Sequence, residues 1–251
     1  YIKPLMSNYL KKLDQKLLNS GFNCPLLLMT SGGTLTNISS ACNNPVRLVE
    51  SGPAGGAILA TSIAEDMNLN KVISFDMGGT TAKITIIENK KAIKAREFEV
   101  DRKARFKKGS GYPLRIPVIE MVEIGAGGGS IARVNKLDQI ITGPDSAGYF
   151  PGPACYSNGG SMPTITDADL VIGKIDPNNF AGGKIKLSKQ LADKAITENI
   201  VKFVNIDTNI AALAISEIVD ETMSNAARVH TVEQGHETSN RILIAFGGAA
   251  P

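Results

Sequence analysis

The sequence predicts an α/β layered domain, on three observations. Apolar residues alternate with period two between Lys71 and Ile87 around a glycine turn. Two long helical stretches lie between Ser188 and Val229, and the apolar run Arg241 to Phe246 ends on paired glycines. At 251 residues the chain has material for one large domain or one and a half ordinary ones, and a hydrophobic content of 43% is normal for a packed core.

Taken in order, Ile2, Leu5, Met6, Tyr9, Leu10, Leu13 and Leu17 recur at helical spacing, with Pro4 in the first turn and Gly21 as a stop, which predicts a helix over 3–20. Pro25 to Thr30 reads as a buried strand running into the turn Ser31-Gly32-Gly33, and residues 1–44 read as the C-terminal part of a preceding domain. Ser51-Gly52-Pro53 starts a helix whose face is unusually small, Ala54, Gly55, Gly56, Ala57, Ala60 and Ala64, so 45–70 is a linking helical stretch. Val72 to Asp76 and Lys83 to Ile87 then form a hairpin about Met77-Gly78-Gly79-Thr80, with a third strand within Glu97 to Asp101.

Residues 102–115 have no period and read as loop, and Ile116 to Ile124 resumes as a strand. The Gly- and Pro-rich block 125–165 reads as a long functional insertion. Ser188 caps a helix to about Phe203, and Thr208 to about Val229 carries the stripe Ala211, Ala214, Ile215, Ile218, Val219, Thr222 and Ala226. Residues 71–251 are thus expected to form one layered domain.

Bulk properties exclude several classes. Frequent glycine (25 residues) with 5% aromatics and no Trp favours tight backbone turns over stacking platforms, against a single-strand nucleic-acid binder. The net charge is only +3, and its one basic run, Arg102 to Lys108, reads as a solvated loop or as a grip for phosphate or an acidic partner. Three cysteines are too few for a disulfide framework or zinc site. No apolar run approaches a membrane span and no signal-peptide pattern opens the chain, so the protein is expected to be cytoplasmic with no membrane partner. A start at Tyr1 and a stop at Phe246-Gly247-Gly248-Ala249-Ala250-Pro251, where a helix would begin, read as cut ends.

Asp76-Met77-Gly78-Gly79-Thr80-Thr81 carries the most chemistry. Glycines let a turn aim its N–H groups at a common centre, Thr80 and Thr81 add hydroxyls, and Asp76 is placed to hold magnesium against bound phosphates; the alternative is an ordinary Asp-led turn. Gly247-Gly248 would let backbone pass close to a purine or ribose. Gly127-Gly128-Gly129 with Ser130 offers a second anion cradle. Glu123, Asp167 and Asp169 are candidates for metal or substrate contact, against the alternatives of a strand-end Glu123 and a capping Asp167. Cys155, with no basic neighbour, reads as a small buried residue, and His230 and His236 as structural.

A hairpin with D-x-G-G-T, a small-faced helix leading into it and a late strand ending on Gly-Gly resemble the actin-like ATPase superfamily, which implies a ribonuclease-H-like nucleotide-binding domain with the Gly/Pro-rich insertion. Pro45 to Gly56, Ile124 to Ala132, Gly143 to Gly148, Pro151 to Tyr156 and Pro163 to Gly173 are more specifically similar to the hydantoinase A / 5-oxoprolinase family, over essentially the whole chain. That resemblance implies ATP-driven opening of a cyclic amide of the hydantoin or 5-oxoproline type, by phosphorylation of the amide oxygen, in an oligomer with a second large subunit or domain. It gives Asp76 as a catalytic, metal-side carboxylate for Mg2+, and Gly78, Gly79, Thr80 and Thr81 as the phosphate cradle. Gly247 and Gly248 would then border adenosine. Relatives place Asp where this chain has Lys83, and a cation there would contact phosphate directly. The N-terminal member of the family's pair of D-x-G-G-T hairpins is absent, so the chain by itself is expected to be inactive. A sugar or small-molecule kinase of the same superfamily and a non-catalytic nucleotide-binding scaffold are the alternatives.

Overall fold

The computed structural model describes residues 1–100 and 109–249. The basic run Arg102 to Lys108 and the terminal Ala250 and Pro251 lie outside the described residues. By packing, the chain divides into two compact units: Tyr1–Ser74, Thr85–Met121 and Asn240–Ile244 form the first, and Phe75–Ile84, Val122–Ser239 and Ala245–Pro251 the second. Residues 1–44 and 45–70 thus fall in the first unit, and 71–251 are shared between the two.

The chain runs through α1 (Lys3–Asn19), β1 (Leu27–Met29), β2 (Leu35–Asn37), α2 (Ile38–Asn43) and α3 (Ser51–Asp66). It continues through β3 (Lys71–Met77), β4 (Ala82–Glu88), β5 (Lys91–Ala92), β6 (Lys94–Ala95), β7 (Phe98–Val100), β8 (Tyr112–Leu114) and β9 (Val118–Ile119). Then follow β10 (Val122–Ile124), β11 (Ser130–Val134), β12 (Ile140–Ser146), α4 (Ile165–Val171), α5 (Lys189–Ile196), α6 (Lys202–Val204), α7 (Thr208–Glu233) and β13 (Ile242–Phe246). The main sheet has the order β10-β4-β3-β13, with β5 added to β4.

In the first unit the small face of α3 does what small residues allow. Ala54 and Ala57 are fully buried and pack on Ile119 of β9, with Ile58, Ala92 and Met121 around them. The same closeness holds the turn after β1, where Ile119 N–H donates to the Ser31 carbonyl at 2.8 Å. Three local expectations are corrected here. Pro25 to Thr30 is not a buried strand: β1 spans three residues, pairs only with β2, and leaves Leu27 half exposed. Ile116 to Ile124 is not one strand but two, β9 pairing with β6 and β10 with β4. Part of 102–115 is strand, because Tyr112–Leu114 pairs with Phe98–Val100 in a two-stranded ribbon where Pro113 can face outward without losing a ladder bond.

The second unit packs α4, α5 and α7 around one core of Cys155, Ala168, Leu170, Val171, Leu187, Ala192, Ile196, Ile200, Ala211, Ala212 and Ile215. Ser188 caps α5 as expected, accepting from Leu191 N–H at 3.3 Å. Asp207 caps α7 through Asn209 N–H at 2.8 Å, and Gly235, at φ +75°, follows its last turn. Among the described residues no helix is long and apolar enough to cross a membrane.

Candidate functional site

Three glycine-bearing segments of the second unit meet: the β3–β4 turn (Asp76 to Thr81), the run Gly127 to Gly129, and the turn Gly247 to Ala249 after β13. The β3–β4 turn is closed by Gly78 N–H donating to the Thr81 carbonyl at 3.0 Å. The Gly78 N–H is therefore engaged inside the turn, contrary to its expected place among the phosphate donors. Gly128 N–H donates to the Gly78 carbonyl at 3.1 Å and Gly129 N–H to the Gly79 carbonyl at 2.7 Å. Ser146 Oγ adds a longer bond to the Gly79 carbonyl, at 3.4 Å.

These bonds decide where the turn's donors face. A planar trans peptide sets its C=O and the following N–H on opposite sides, and the Gly78-Gly79 and Gly79-Thr80 peptides are trans. With both carbonyls held by the Gly128 and Gly129 amides, the N–H groups of Gly79 and Thr80 point away from the glycine run. Both residues are solvent-exposed, and neither N–H has a partner among the described residues. Two adjacent outward N–H groups on a turn make a small anion-binding concavity.

The glycines divide by what their missing side chains would meet. A Cβ on Gly127 would stand 2.6 Å from Thr80 N and 2.7 Å from the Gly78 carbonyl oxygen, and one on Gly129 would stand 2.9 Å from the Gly79 carbonyl oxygen. The run is glycine so that it can lie against the turn. Its N–H groups are all engaged, that of Gly127 on Ser130 Oγ at 2.9 Å. The second anion cradle expected there is corrected to a backbone support. Gly247, at φ +105°, is likewise filled by the protein, its missing Cβ lying 2.3 Å from the Met77 carbonyl oxygen and 2.8 Å from Asp76 Oδ1. Gly79 and Gly248 differ: neither has a positive φ, and a Cβ on either meets nothing within 4 Å.

Asp76 lies at the end of β3 against the bare Cα of Gly247, and among the described residues its carboxylate has no hydrogen-bond or ion-pair partner. No group of three or more His, Cys, Asp or Glu side chains gathers among the described residues as a metal-ligating set. Magnesium needs none when phosphates and waters complete its shell around one or two carboxylates, and Asp76 fits that role.

Lys83 and Glu123 are cross-strand neighbours, paired in register between β4 and β10. Lys83 Nζ stands 3.3 Å from Glu123 Oε1 and donates to Thr81 Oγ1 at 3.1 Å. Direct phosphate contact was expected of this ammonium, and metal or substrate contact of Glu123. Here the ammonium is engaged by the Glu123 carboxylate and by Thr81, whose hydroxyl accepts from it and so keeps its own proton to donate.

Asp167 is not a free acid. Its side chain is fully buried and accepts from four donors, Ala154 N–H, Cys155 N–H, Thr164 N–H and Thr164 Oγ1, at 2.7 to 3.2 Å. It closes a capping box at the start of α4, so the capping alternative holds. Burial, then the Asp167 charge, push the Cys155 thiol far above its ordinary value, which keeps it protonated and inert.

Asp169 faces α7, accepting from Ser216 Oγ at 2.9 Å, with Lys174 Nζ at 4.0 Å. Burial raises its carboxyl above the ordinary value; the Ser216 bond and Lys174 oppose the rise, and Asp220 adds to it. A carboxyl raised in the folded state contributes stability that is full below its unfolded value and lost as pH rises through the folded value. The melting temperature of Asp169→Asn is therefore expected to gain on that of the native protein as pH climbs from about 4 toward neutrality. A difference that stays constant over that range would show that Asp169 does not titrate there.

Thr166 was not foreseen: it is buried and donates twice to the Gly128 carbonyl, from its N–H and from Oγ1, each at 2.8 Å. An apolar hollow of about 240 Å³ in the first unit, lined by Leu17, Leu18, Phe22 and Pro25 with Asp14 as its charged group, offers nothing to a polyanion.

The hydantoinase/oxoprolinase family model matches residues 1–251. The chain belongs to the hydantoinase/oxoprolinase family. It is 43% identical to a protein of Methanocaldococcus jannaschii over 254 residues, covering 100% of this chain and 37% of that one. It is 32% identical to the caprolactamase alpha subunit of Pseudomonas jessenii, covering 100% of this chain and 35% of that one. The crystal structure of the ATP-dependent caprolactamase from the same species matches 98% of this chain and 34% of that one, with a TM-score of 0.75 at 31% identity. The nucleotide-free structure of acetone carboxylase, from work on ATP-dependent acetone carboxylation, matches 95% of this chain and 32% of that one, with a TM-score of 0.81 at 26% identity. The chain thus spans about a third of the length of these relatives, and its mixed α/β fold is theirs.

Proposed function

We infer that this chain supplies one phosphate-facing half of an ATP site in an enzyme that activates a cyclic amide. The observation that carries the reading is the outward pair of N–H groups at Gly79 and Thr80 beside the unpartnered Asp76 carboxylate. In this role Gly79, Thr80 and the Thr81 hydroxyl receive phosphate oxygens, Asp76 holds magnesium, and Gly248 leaves room beside the nucleoside. Magnesium bound there would offset phosphate charge and orient the terminal phosphoryl group. The rest is positioning and charge neutralisation by the chain's own dipoles.

A cyclic amide as the substrate class is supported by the names of two relatives, a caprolactamase subunit and a 5-oxoprolinase, since caprolactam and 5-oxoproline are both cyclic amides. The amide oxygen takes the terminal phosphoryl group from ATP and ADP leaves. The carbon that bears the phosphorylated oxygen is then open to water; as the ring nitrogen takes a proton the C–N bond of the adduct breaks, and hydrolysis of the resulting acyl phosphate by a second water releases inorganic phosphate and the ring-opened acid. A second large subunit or domain completes the hydrolysis, a reading supported by the relatives' being named as subunits. The family match runs through residues 125–173, the block a sugar kinase is not expected to share.

ADP release by the full-length native protein with its partner subunit tests this. Magnesium and ATP with 5-oxoproline, a hydantoin or caprolactam should stimulate release where hexoses do not, and Asp76→Ala should weaken it several-fold or more. Stimulation by a sugar, or by neither class, would overturn the cyclic-amide reading, and unchanged kinetics in Asp76→Ala would remove Asp76 from the site.

A further inference from the structure

We propose that Thr166 is a positioning residue for the anion-facing turn, acting through Gly128; the proposal rests on the nucleotide reading of that turn. Thr166 is the second residue of α4 and only 5% exposed. Its backbone N–H and its Oγ1 both reach the Gly128 carbonyl at 2.8 Å. Two donors from one residue occupy both lone pairs of that carbonyl and hold the peptide in place. On its other side Gly128 passes the restraint on, its N–H holding the Gly78 carbonyl at 3.1 Å. The outward direction of the Gly79 N–H is thus set, through two peptides, by a side chain that touches no ligand.

A restraint of this kind needs a firm base, and α4 is one. Its first turn is fastened by the capping box and by the bonds from Ala154 and Cys155 to Asp167. Its outer face is fastened to α7 through Asp169 and Ser216. The two acids that resemble catalytic candidates in sequence are the groups that keep Thr166 still. The fit is close as well: a Cβ on Gly128 would stand 2.8 Å from Thr166 Oγ1 and 3.1 Å from Ala249 Cβ.

Thr166→Val keeps the side-chain shape and the backbone bond and removes only the hydroxyl; Thr166→Ser keeps the hydroxyl. Loss of one buried hydrogen bond corresponds to a change of roughly five-fold. In the full-length native protein, amide hydrogen exchange at Gly128 and Gly129 should quicken about five-fold in Thr166→Val. KM for ATP should rise by about the same factor with kcat within about two-fold, and Thr166→Ser should restore both. Unchanged exchange at Gly128 and Gly129 overturns the positioning role whether or not ATP binds. So does faster exchange matched equally across α7, which marks global loosening, and so does an unchanged KM in a protein that binds ATP. Faster local exchange in a protein that does not bind ATP would support the positioning role while refuting the nucleotide reading.

Discussion

Replacing Gly79 with alanine is expected to leave the melting temperature within a degree or two and to weaken ATP use by about ten-fold or more. Glycine is normally required either by a left-handed backbone or by a neighbour too close for a Cβ. Gly79 shows neither: its φ is not positive and its Cβ would meet nothing within 4 Å. By itself the substitution should be neutral or slightly stabilising, since alanine lowers the entropy of the unfolded chain by about 0.4–1 kcal/mol. What the methyl would obstruct is whatever approaches the Gly79 and Thr80 N–H groups, and a phosphate at hydrogen-bond distance leaves no room for it. The check is a melt beside ADP release at limiting ATP. Normal ATP use by the alanine variant would take the turn out of the site.

Much of the architecture was legible because it rests on local pattern. Period-two alternation marks β3 and β4, whose inward residues Val72, Ser74, Ala82, Ile84 and Ile86 are all buried. The alanine face marks α3 as an element that must be approached closely, and Ile119 does approach it. The errors fall where the deciding contact is distant in sequence. An apolar run such as Leu26 to Met29 says that something should cover it, not what does. Gly127-Gly128-Gly129 looks the same in sequence whether its amides face an anion or hold the Gly78 and Gly79 carbonyls. An aspartate two residues into a helix can be an acid or a cap, and the four donors on Asp167 come partly from the segment around Cys155. The Thr164-to-Asp167 spacing was the one local sign of the cap. Thr166 carried no sign at all, because its meaning lies in Gly128, a residue far away along the chain.

Gly247→Ala is expected to be the most destabilising substitution in the site. The added Cβ would lie 2.3 Å from the Met77 carbonyl oxygen and 2.8 Å from Asp76 Oδ1. The first is a backbone atom that cannot swing aside, and it already accepts Ala249 N–H at 3.0 Å. The φ of +105° adds strain for any side chain, a cost of about 1–3 kcal/mol. Overpacking contributes a similar amount, for a total of roughly 2–6 kcal/mol against a typical domain stability of about 5–15 kcal/mol. In a unit of this size that corresponds to a fall in melting temperature of roughly 5–15 °C. Gly248→Ala is the paired control: one residue on, with open space around its Cα, it should melt with the native protein. Equal melting of all three would mean that the β13 turn does not lie against Asp76 and Met77. The carboxylate assigned to magnesium would then lose the neighbour that holds it in place.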